Sequence, residues 1–227
     1  MRIKMKIRTT ILALGSVLSL ARAETTDTAI PPDRITFYAV PLVCPAAPEI
    51  GCGSRSKPIL LRLERENLVA EAWLNRPGTL MAIVWKTEAK RKERNAVFKA
   101  VSEKEELEAR ELSGAARKKA LKEFAARDGW HRGSDVNRLS EEEAGIIAAR
   151  LVRRIQAKVL VSEEKAKALR AEFTDILKRR FTGTQDANEL NTEERFLGVL
   201  RSHLDEKDVA LLKETFPRSL RPLPGEK

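Results

Sequence analysis

The sequence has few of the residues from which most active sites and disulfide-rich folds are built. Its 227 residues include only two cysteines, two histidines and one tyrosine. Two cysteines are too few for a disulfide framework, although they suffice for one bridge. His131 and His203 lie far apart, and the chain contains no G-x-S-x-G, H-E-x-x-H or glycine-rich phosphate-binding motif. An enzyme is therefore the class that the sequence supports least, and no catalytic residue is predicted.

Long apolar runs are also lacking. Residues 11–20 are mostly apolar, but a membrane-spanning helix needs about 20 such residues. This stretch follows four basic residues within 1–8 and precedes Ala21-Arg22-Ala23, which together form the pattern of a secretory signal peptide. We expect residues 1–23 to be removed and the mature protein to be exported, to the periplasm or the extracellular space, with no membrane span. The alternative is that the stretch stays uncleaved as a short anchor.

The mature chain, without that signal peptide, lacks a strong net charge. The whole chain carries +10, and five basic residues but no acid lie in residues 1–23, so the mature protein carries about +5. The excess lies in residues 113–227 and is spread along predicted helices. Such a modest and dispersed charge is typical of a solvated helix surface. No nucleic-acid partner is expected.

The first third of the chain alternates strand and helix patterns. β-Branched and aromatic residues predict strands, and Ser54 or Ser56 is expected to cap the first helix. Pro77-Gly78 fits the central positions of a type II turn between two strands. The order is β-α-β-β-α-β, the ferredoxin-like arrangement, with a charged edge strand last. The predicted strands are 35–40, 69–74, 79–85 and 105–110, and the predicted helices are about 54–67 and 88–102.

The pattern becomes helical from residue 113. Ser140 followed by Glu143 is typical of a capping box, and the acidic run at 141–143 is interpreted as solvated charge at a helix start. The predicted helices are 115–127, 140–160, one starting at Ser162, 192–204 and 205–216. The predicted fold class is therefore α+β. Its parts are an exposed segment at 24–33, a ferredoxin-like domain at 34–112, a helical domain at 113–216 and a flexible tail at 217–227.

Both cysteines lie in one stiff loop, from Cys44 to Pro58, at the start of the first predicted helix. A helix N-terminus favours a thiolate, so Cys52 is predicted to be the more reactive thiol. Neighbouring basic residues add positive charge, and glycines let the backbone approach whatever the sulfur binds. Two thiolates on one loop can hold copper(I) or another soft ion. The supporting residues are Gly51, Gly53, Ser54, Arg55 and Lys57.

Residues 35–112 resemble a heavy-metal-associated domain. The resemblance is carried by the strand before the cysteine loop, the helix after it, the motif at 69–75, the glycine-containing turn and Ala82-Ile83-Val84-Trp85. Members of that family have the β-α-β-β-α-β fold and bind one soft ion, commonly copper(I), through two thiolates in this loop. The resemblance implies that Cys52 is the principal ligand and Cys44 its partner. The family has two residues between its cysteines, whereas this chain has seven.

Another interpretation of the two cysteines stays open. In an oxidising compartment they can form a structural disulfide, which would stabilise the fold by about 2.5 kcal/mol. The chain would then be a protein-interaction or structural module with an exported protein partner. Thioredoxin-type exchange normally uses Cys-x-x-Cys. This motif is absent here, and its absence argues against a dedicated oxidoreductase.

A second stretch, Asp128 to Gly145, places Trp130 and His131 in one loop between helices. Its oxygen ligands do not have the spacing of a calcium-binding loop. We expect the loop to be fixed by a buried Trp130 and by the Ser140 cap. His131 becomes a third metal ligand if the loop folds over Cys52. His203 is expected to pack against a helix face.

Overall fold

The computed structural model describes residues 30–184, 191–215 and 220–226, so the predicted signal peptide lies outside the described residues. The chain forms an α+β structure, in which an antiparallel sheet with interleaved helices precedes a helical region. The strands are β1 (Ile35–Ala39), β2 (Val43–Cys44), β3 (Ala47–Gly51), β4 (Val69–Asn75), β5 (Leu80–Trp85), β6 (Arg110–Glu111) and β7 (Trp130–Arg132). The helices are α1 (Gly53–Arg65), α2 (Arg91–Lys104), α3 (Gly114–Ala125), α4 (Asn137–Gln156), α5 (Glu163–Thr182), α6 (Thr192–His203) and α7 (Glu206–Thr215).

The main sheet has five strands in the order β6-β1-β5-β4-β7, and each neighbouring pair is antiparallel. Its central strand, β5, is apolar on both faces, and residues 81–85 are all buried. One face packs against α1 and α2 through residues such as Ile83 and Leu60. The other face packs against α3, where Phe37 meets the rings of Phe124 and Trp130.

The sequence placed the charged edge strand too early. Of the predicted strand at 105–110 only Arg110 lies in a strand, because α2 extends to Lys104 and Glu106 then takes a positive φ of 49°. The edge strand is the two-residue β6, which pairs with β1.

The turn between β4 and β5 also differs from the prediction. Its hydrogen bond joins Gly78 N to Asn75 O at 2.9 Å, so residues 76 and 77 are central.

The helical region is built on apolar stripes along α4 and α5. Ile147, Leu151, Leu169 and Phe173 are fully buried in a common core, and Ser162 caps α5 by accepting a hydrogen bond from Lys165 N. In the described ranges no helix combines the length and the apolar character needed to cross a membrane.

The capping box predicted at Ser140 is wrong. Helix α4 begins three residues earlier, at Asn137, so Ser140 lies inside the helix and is fully buried. The turn that starts α4 is instead closed by Asp135, whose carboxylate accepts a hydrogen bond from Arg132 N at 2.6 Å. Strand β7, which leads into this turn, was not predicted.

Candidate functional site

The cysteine loop folds as a hairpin that brings the two cysteines together. Strands β2 and β3 pair antiparallel, with Cys44 opposite Ala47, and β3 leads directly into α1. The hairpin is fixed to the turn between β4 and β5, because Gly51 N donates to Arg76 O at 2.7 Å and Leu42 N donates to Gly78 O at 3.0 Å. Cys52 packs against the small buried cluster that contains Cys44 and Ile50. Both cysteines are free thiols.

Cys52 is the N-cap residue of α1, a place that the sequence assigned to Ser54 or Ser56. Its carbonyl accepts a hydrogen bond from Ser56 N at 3.0 Å, while its half-buried sulfur lies 3.5 Å from Ser54 Oγ. A hydrogen bond with Cys44 is the main influence that lowers the pKa of Cys52 to about 5. Burial acts against this, whereas Ser54 and the backbone N–H and charge of Arg55 act with it. Cys52 is therefore a thiolate at neutral pH.

Cys44 is the buried member of the pair, with 1% of its surface exposed. Its Sγ donates to Glu143 Oε1 at 3.0 Å and accepts from Ala46 N at 3.3 Å. The hydrogen bond with Cys52, burial and the nearby Glu143 carboxylate all raise the pKa of the Cys44 thiol. The two thiols are thus inequivalent, because one is a thiolate and the other keeps its proton.

Glu143, on α4, is the third member of the site. The interpretation of residues 141–143 as solvated charge is wrong for this residue, since only 5% of Glu143 is exposed. Burial raises the pKa of Glu143 to about 7, the Cys52 charge adds to that effect and the hydrogen bond from Cys44 opposes it. Among the described residues nothing hydrogen-bonds to its Oε2 atom. A buried carboxyl with such a pKa can accept and return a proton near neutral pH.

A signal for Glu143 is present in the sequence. Glu143 lies four residues before Ile147 and Arg150 lies three residues after it, so both charged residues occupy the face of α4 that carries the apolar stripe. A charge at such a position indicates a buried partner. The partner itself, Cys44, is 99 residues away in sequence.

The two glycines beside Cys52 allow contacts with the protein's own backbone. A Cβ on Gly53 would lie 2.5 Å from Ser140 Oγ and 2.8 Å from Val136 O, so α1 begins directly against α4. A Cβ on Gly51 would lie 2.9 Å from Gly78 Cα, in the turn between β4 and β5. Of the predicted basic neighbours, Arg55 is exposed at the mouth of the site and Lys57 is half-buried in α1.

The histidines lie elsewhere. His131 is on β7, opposite Leu74, with its Nδ1 3.9 Å from Asp135 Oδ2. Burial lowers the pKa of His131. Within the described ranges no group of three or more histidines, cysteines or acids is arranged to hold a metal ion, and the role of His131 as a third ligand stays a prediction. Trp130 is buried as predicted. His203 lies on α6 and pairs with Glu172 at 2.6 Å.

A comparison with family models, curated proteins and solved structures finds no match for this chain. The resemblance to heavy-metal-associated domains therefore stays a prediction.

Proposed function

We propose that Cys44 and Cys52 form a redox-active dithiol that exchanges with disulfides of other exported proteins. The observation that carries the proposal is the connected group of a half-buried Cys52 thiolate, a buried Cys44 thiol and the buried Glu143 carboxyl. Thiol–disulfide exchange needs an accessible thiolate to attack and a second thiol to resolve the intermediate. The two cysteines differ in burial and pKa in the manner that these two roles require.

The exchange divides into two steps. In the first, the Cys52 thiolate attacks one sulfur of a substrate disulfide, which forms a mixed disulfide and releases the other substrate sulfur as a thiolate. In the second, Cys44 gives its proton to Glu143 and attacks the Cys52 sulfur, which releases the remaining substrate thiolate. The substrate gains two electrons, the Cys44–Cys52 pair becomes a disulfide, and the proton on Glu143 leaves with the product. The reverse sequence oxidises a substrate dithiol.

The absence of Cys-x-x-Cys does not weigh against this chemistry in the folded chain. Seven residues separate the cysteines, but they fold back as β3 and its turn, which returns the chain to Cys44 at the start of α1. The seven-residue spacing thus does not keep the two cysteines apart, since Cys52 packs against the cluster that contains Cys44.

Glutathione disulfide provides a direct test of the two roles. In the Cys44→Ser variant the reaction is expected to stop at one glutathione on Cys52, seen as a mass adduct. In the wild type it is expected to proceed to an internal disulfide without an adduct. The Cys52→Ser variant is expected to react with glutathione disulfide at least tenfold more slowly than the Cys44→Ser variant, because Cys44 is buried. Equal rates for the two variants, or a lasting adduct on the wild type, would contradict the proposal.

A soft-metal site is the second candidate function, and the strand order favours it. Four strands of the main sheet lie within residues 34–112, and they follow one another in the chain as β1, β4, β5 and β6. In the sheet they lie side by side in the order β6-β1-β5-β4. This order, 4-1-3-2 by position in the chain, supports the ferredoxin-like interpretation of residues 34–112. The cysteine hairpin lies between β1 and α1, where heavy-metal-associated domains carry their thiolates. Two neighbouring sulfurs suit copper(I) as a bound cargo, although Cys44 must first lose its proton.

Titration of the reduced protein with copper(I) distinguishes the two candidates. A one-to-one complex that is lost in both Cys44→Ser and Cys52→Ser would support metal binding. No uptake by the reduced wild type would exclude it and would leave the exchange chemistry unaffected.

A further inference from the structure

A row of polar side chains runs along the face of α4 that meets the cysteine hairpin. Ser140 lies against the start of α1 and Glu143 bonds to Cys44. The same face continues to Arg150, about two turns further on, and then to Arg154. The proposed function uses only Glu143, so the two arginines need a separate explanation.

Arg150 is a buried charge that bonds to two backbone carbonyls. Only 2% of the residue is exposed, and a guanidinium is buried at high cost unless acceptors surround it. Its Nη1 donates to Ala46 O at 2.6 Å and to Leu220 O at 3.1 Å. Ala46 lies in the turn between β2 and β3, and its own N–H donates to Cys44 Sγ at 3.3 Å. Arg150 thus holds the residue that contacts the Cys44 sulfur.

The second acceptor of Arg150 belongs to the C-terminal hook, which we define as residues 220–226. Within the hook, Glu226 closes a turn by accepting from Leu223 N at 2.8 Å. Arg154 anchors it by donating to Glu226 Oε1 at 2.7 Å and to Arg221 O at 2.9 Å. Leu220 packs against the same helical core as Ala46. The hook therefore meets the cysteine hairpin at Arg150.

We propose that Arg150 is a positioning residue for Cys44 and that the C-terminal hook keeps Arg150 in that position. Arg150 touches neither sulfur, so it acts through Ala46, whose carbonyl and N–H face the guanidinium and Cys44 respectively. Loss of this contact frees the hairpin turn and exposes Cys44 without unfolding the protein. The assignment of Cys44 as the resolving thiol rests on the proposed function, whereas its burial through Arg150 does not.

The test measures how fast iodoacetamide labels Cys44 in the folded Cys52→Ser protein, a reaction that requires no disulfide. Arg150→Met in this background is expected to label at least tenfold faster, and Arg150→Lys, which keeps a charge and a donor, is expected to restore part of the protection. Glu226→Gln, which weakens the hook and leaves Arg150 intact, is expected to accelerate labelling severalfold. Arg138→Met, an exposed position on the same helix, is the control and is expected to leave the rate within twofold.

Two results would overturn the proposal. One is a labelling rate of Arg150→Met that equals the rate of the Cys52→Ser parent or equals the rate expected from global unfolding, measured separately by denaturant titration. The other is labelling of Glu226→Gln at the rate of the Arg138→Met control. With both cysteines present, Arg150→Met is also expected to change the equilibrium between dithiol and disulfide at least threefold. Failure of the wild type to form any disulfide would count against the proposed function and leave the labelling result intact.

Discussion

At the scale of single residues, the site depends on how protons are distributed among three side chains. Cys52 is held as a thiolate, Cys44 as a thiol and Glu143 near its midpoint at neutral pH. Each state depends on a neighbour, since Cys44 hydrogen-bonds to Glu143 at 3.0 Å and also stabilises the Cys52 thiolate. Removing one group is therefore expected to change the pKa of the others in a predictable direction.

The first prediction concerns the pKa of Cys52. The Cys44→Ala variant loses the hydrogen bond that contributes most to the low value, so the pKa of Cys52 is expected to rise from about 5 toward the ordinary thiol range. Ser54→Ala is the matched control and is expected to cause a smaller rise. The pH dependence of iodoacetamide alkylation measures both. An unchanged midpoint in Cys44→Ala would show that Cys44 does not stabilise the thiolate.

The second prediction concerns stability and pH. The pKa of Glu143 in the folded state, about 7, lies above its ordinary value of 4.5. Between these values the folded state binds more protons than the unfolded state, so the free energy of unfolding falls as pH rises. Cys52 acts in the opposite sense above about pH 5, because its folded pKa is the lower one. The two effects oppose each other in the wild type.

Removing Cys52 exposes the contribution of Glu143. The free energy of unfolding of Cys52→Ser and of Cys52→Ser/Glu143→Gln is measured by denaturant titration at pH 5 and at pH 7.5. The stability that Cys52→Ser loses between pH 5 and pH 7.5 is expected to exceed the loss in the double variant by about 1–3 kcal/mol. The difference between the two variants cancels other titrating groups. Parallel pH profiles for them would mean that Glu143 is not protonated in the folded state.

At the scale of elements, the critical contact is the start of α1 against α4. Gly53 leaves no room for a side chain, because a Cβ there would meet Ser140 Oγ at 2.5 Å. Gly145, on α4, has no atom within 4 Å of an added Cβ. Two glycines of the same region thus have opposite steric surroundings.

The third prediction follows from this difference. Gly53→Ala is expected to lower the free energy of unfolding by about 1–3 kcal/mol through overpacking and to slow the reaction of Cys52 with glutathione disulfide. Gly145→Ala is expected to be neutral or to stabilise the helix by up to about 1 kcal/mol. Chemical denaturation of the two variants checks the prediction. Equal stabilities would show that α1 and α4 separate easily.

The elements also show what the sequence can reveal. The stripes of α4 and α5 and the bounds of α6 and α7 follow from helical periodicity and capping, which are local. The hairpin of β2 and β3 was missed because its strands are short and contain or adjoin prolines, which are unfavourable in strands. Strand β7 was missed because its three residues become a strand only by pairing with β4, far away in sequence.

The candidate site was predicted only in part for the same reason. Its cysteines and a helix that starts shortly after Cys52 are visible in the sequence. The burial of Glu143 and Arg150 depends on Cys44 and Ala46, which are 99 and 104 residues away. A single sequence shows that a charge lies on an apolar face, but it does not show which partner accounts for it.

At the scale of the whole molecule, α4 connects the two parts of the chain. It packs against α5 in the helical core, against α1 at Gly53 and against the cysteine hairpin at Glu143 and Arg150. The sheet region supplies both sulfurs, while the helical region supplies the carboxyl and the guanidinium. The site is therefore a property of the assembled molecule, and the two predicted domains share it.

The most direct test of the central claim is the reduction potential of the Cys44–Cys52 pair. It is measured by equilibrating the wild type in glutathione and dithiothreitol buffers, quenching with acid and quantifying the disulfide by mass spectrometry. A stabilised Cys52 thiolate favours the reduced form, so we predict a reversible two-electron transition with a midpoint less negative than about −300 mV. A midpoint below about −300 mV would instead identify a structural disulfide, and no disulfide at any potential would contradict the account altogether.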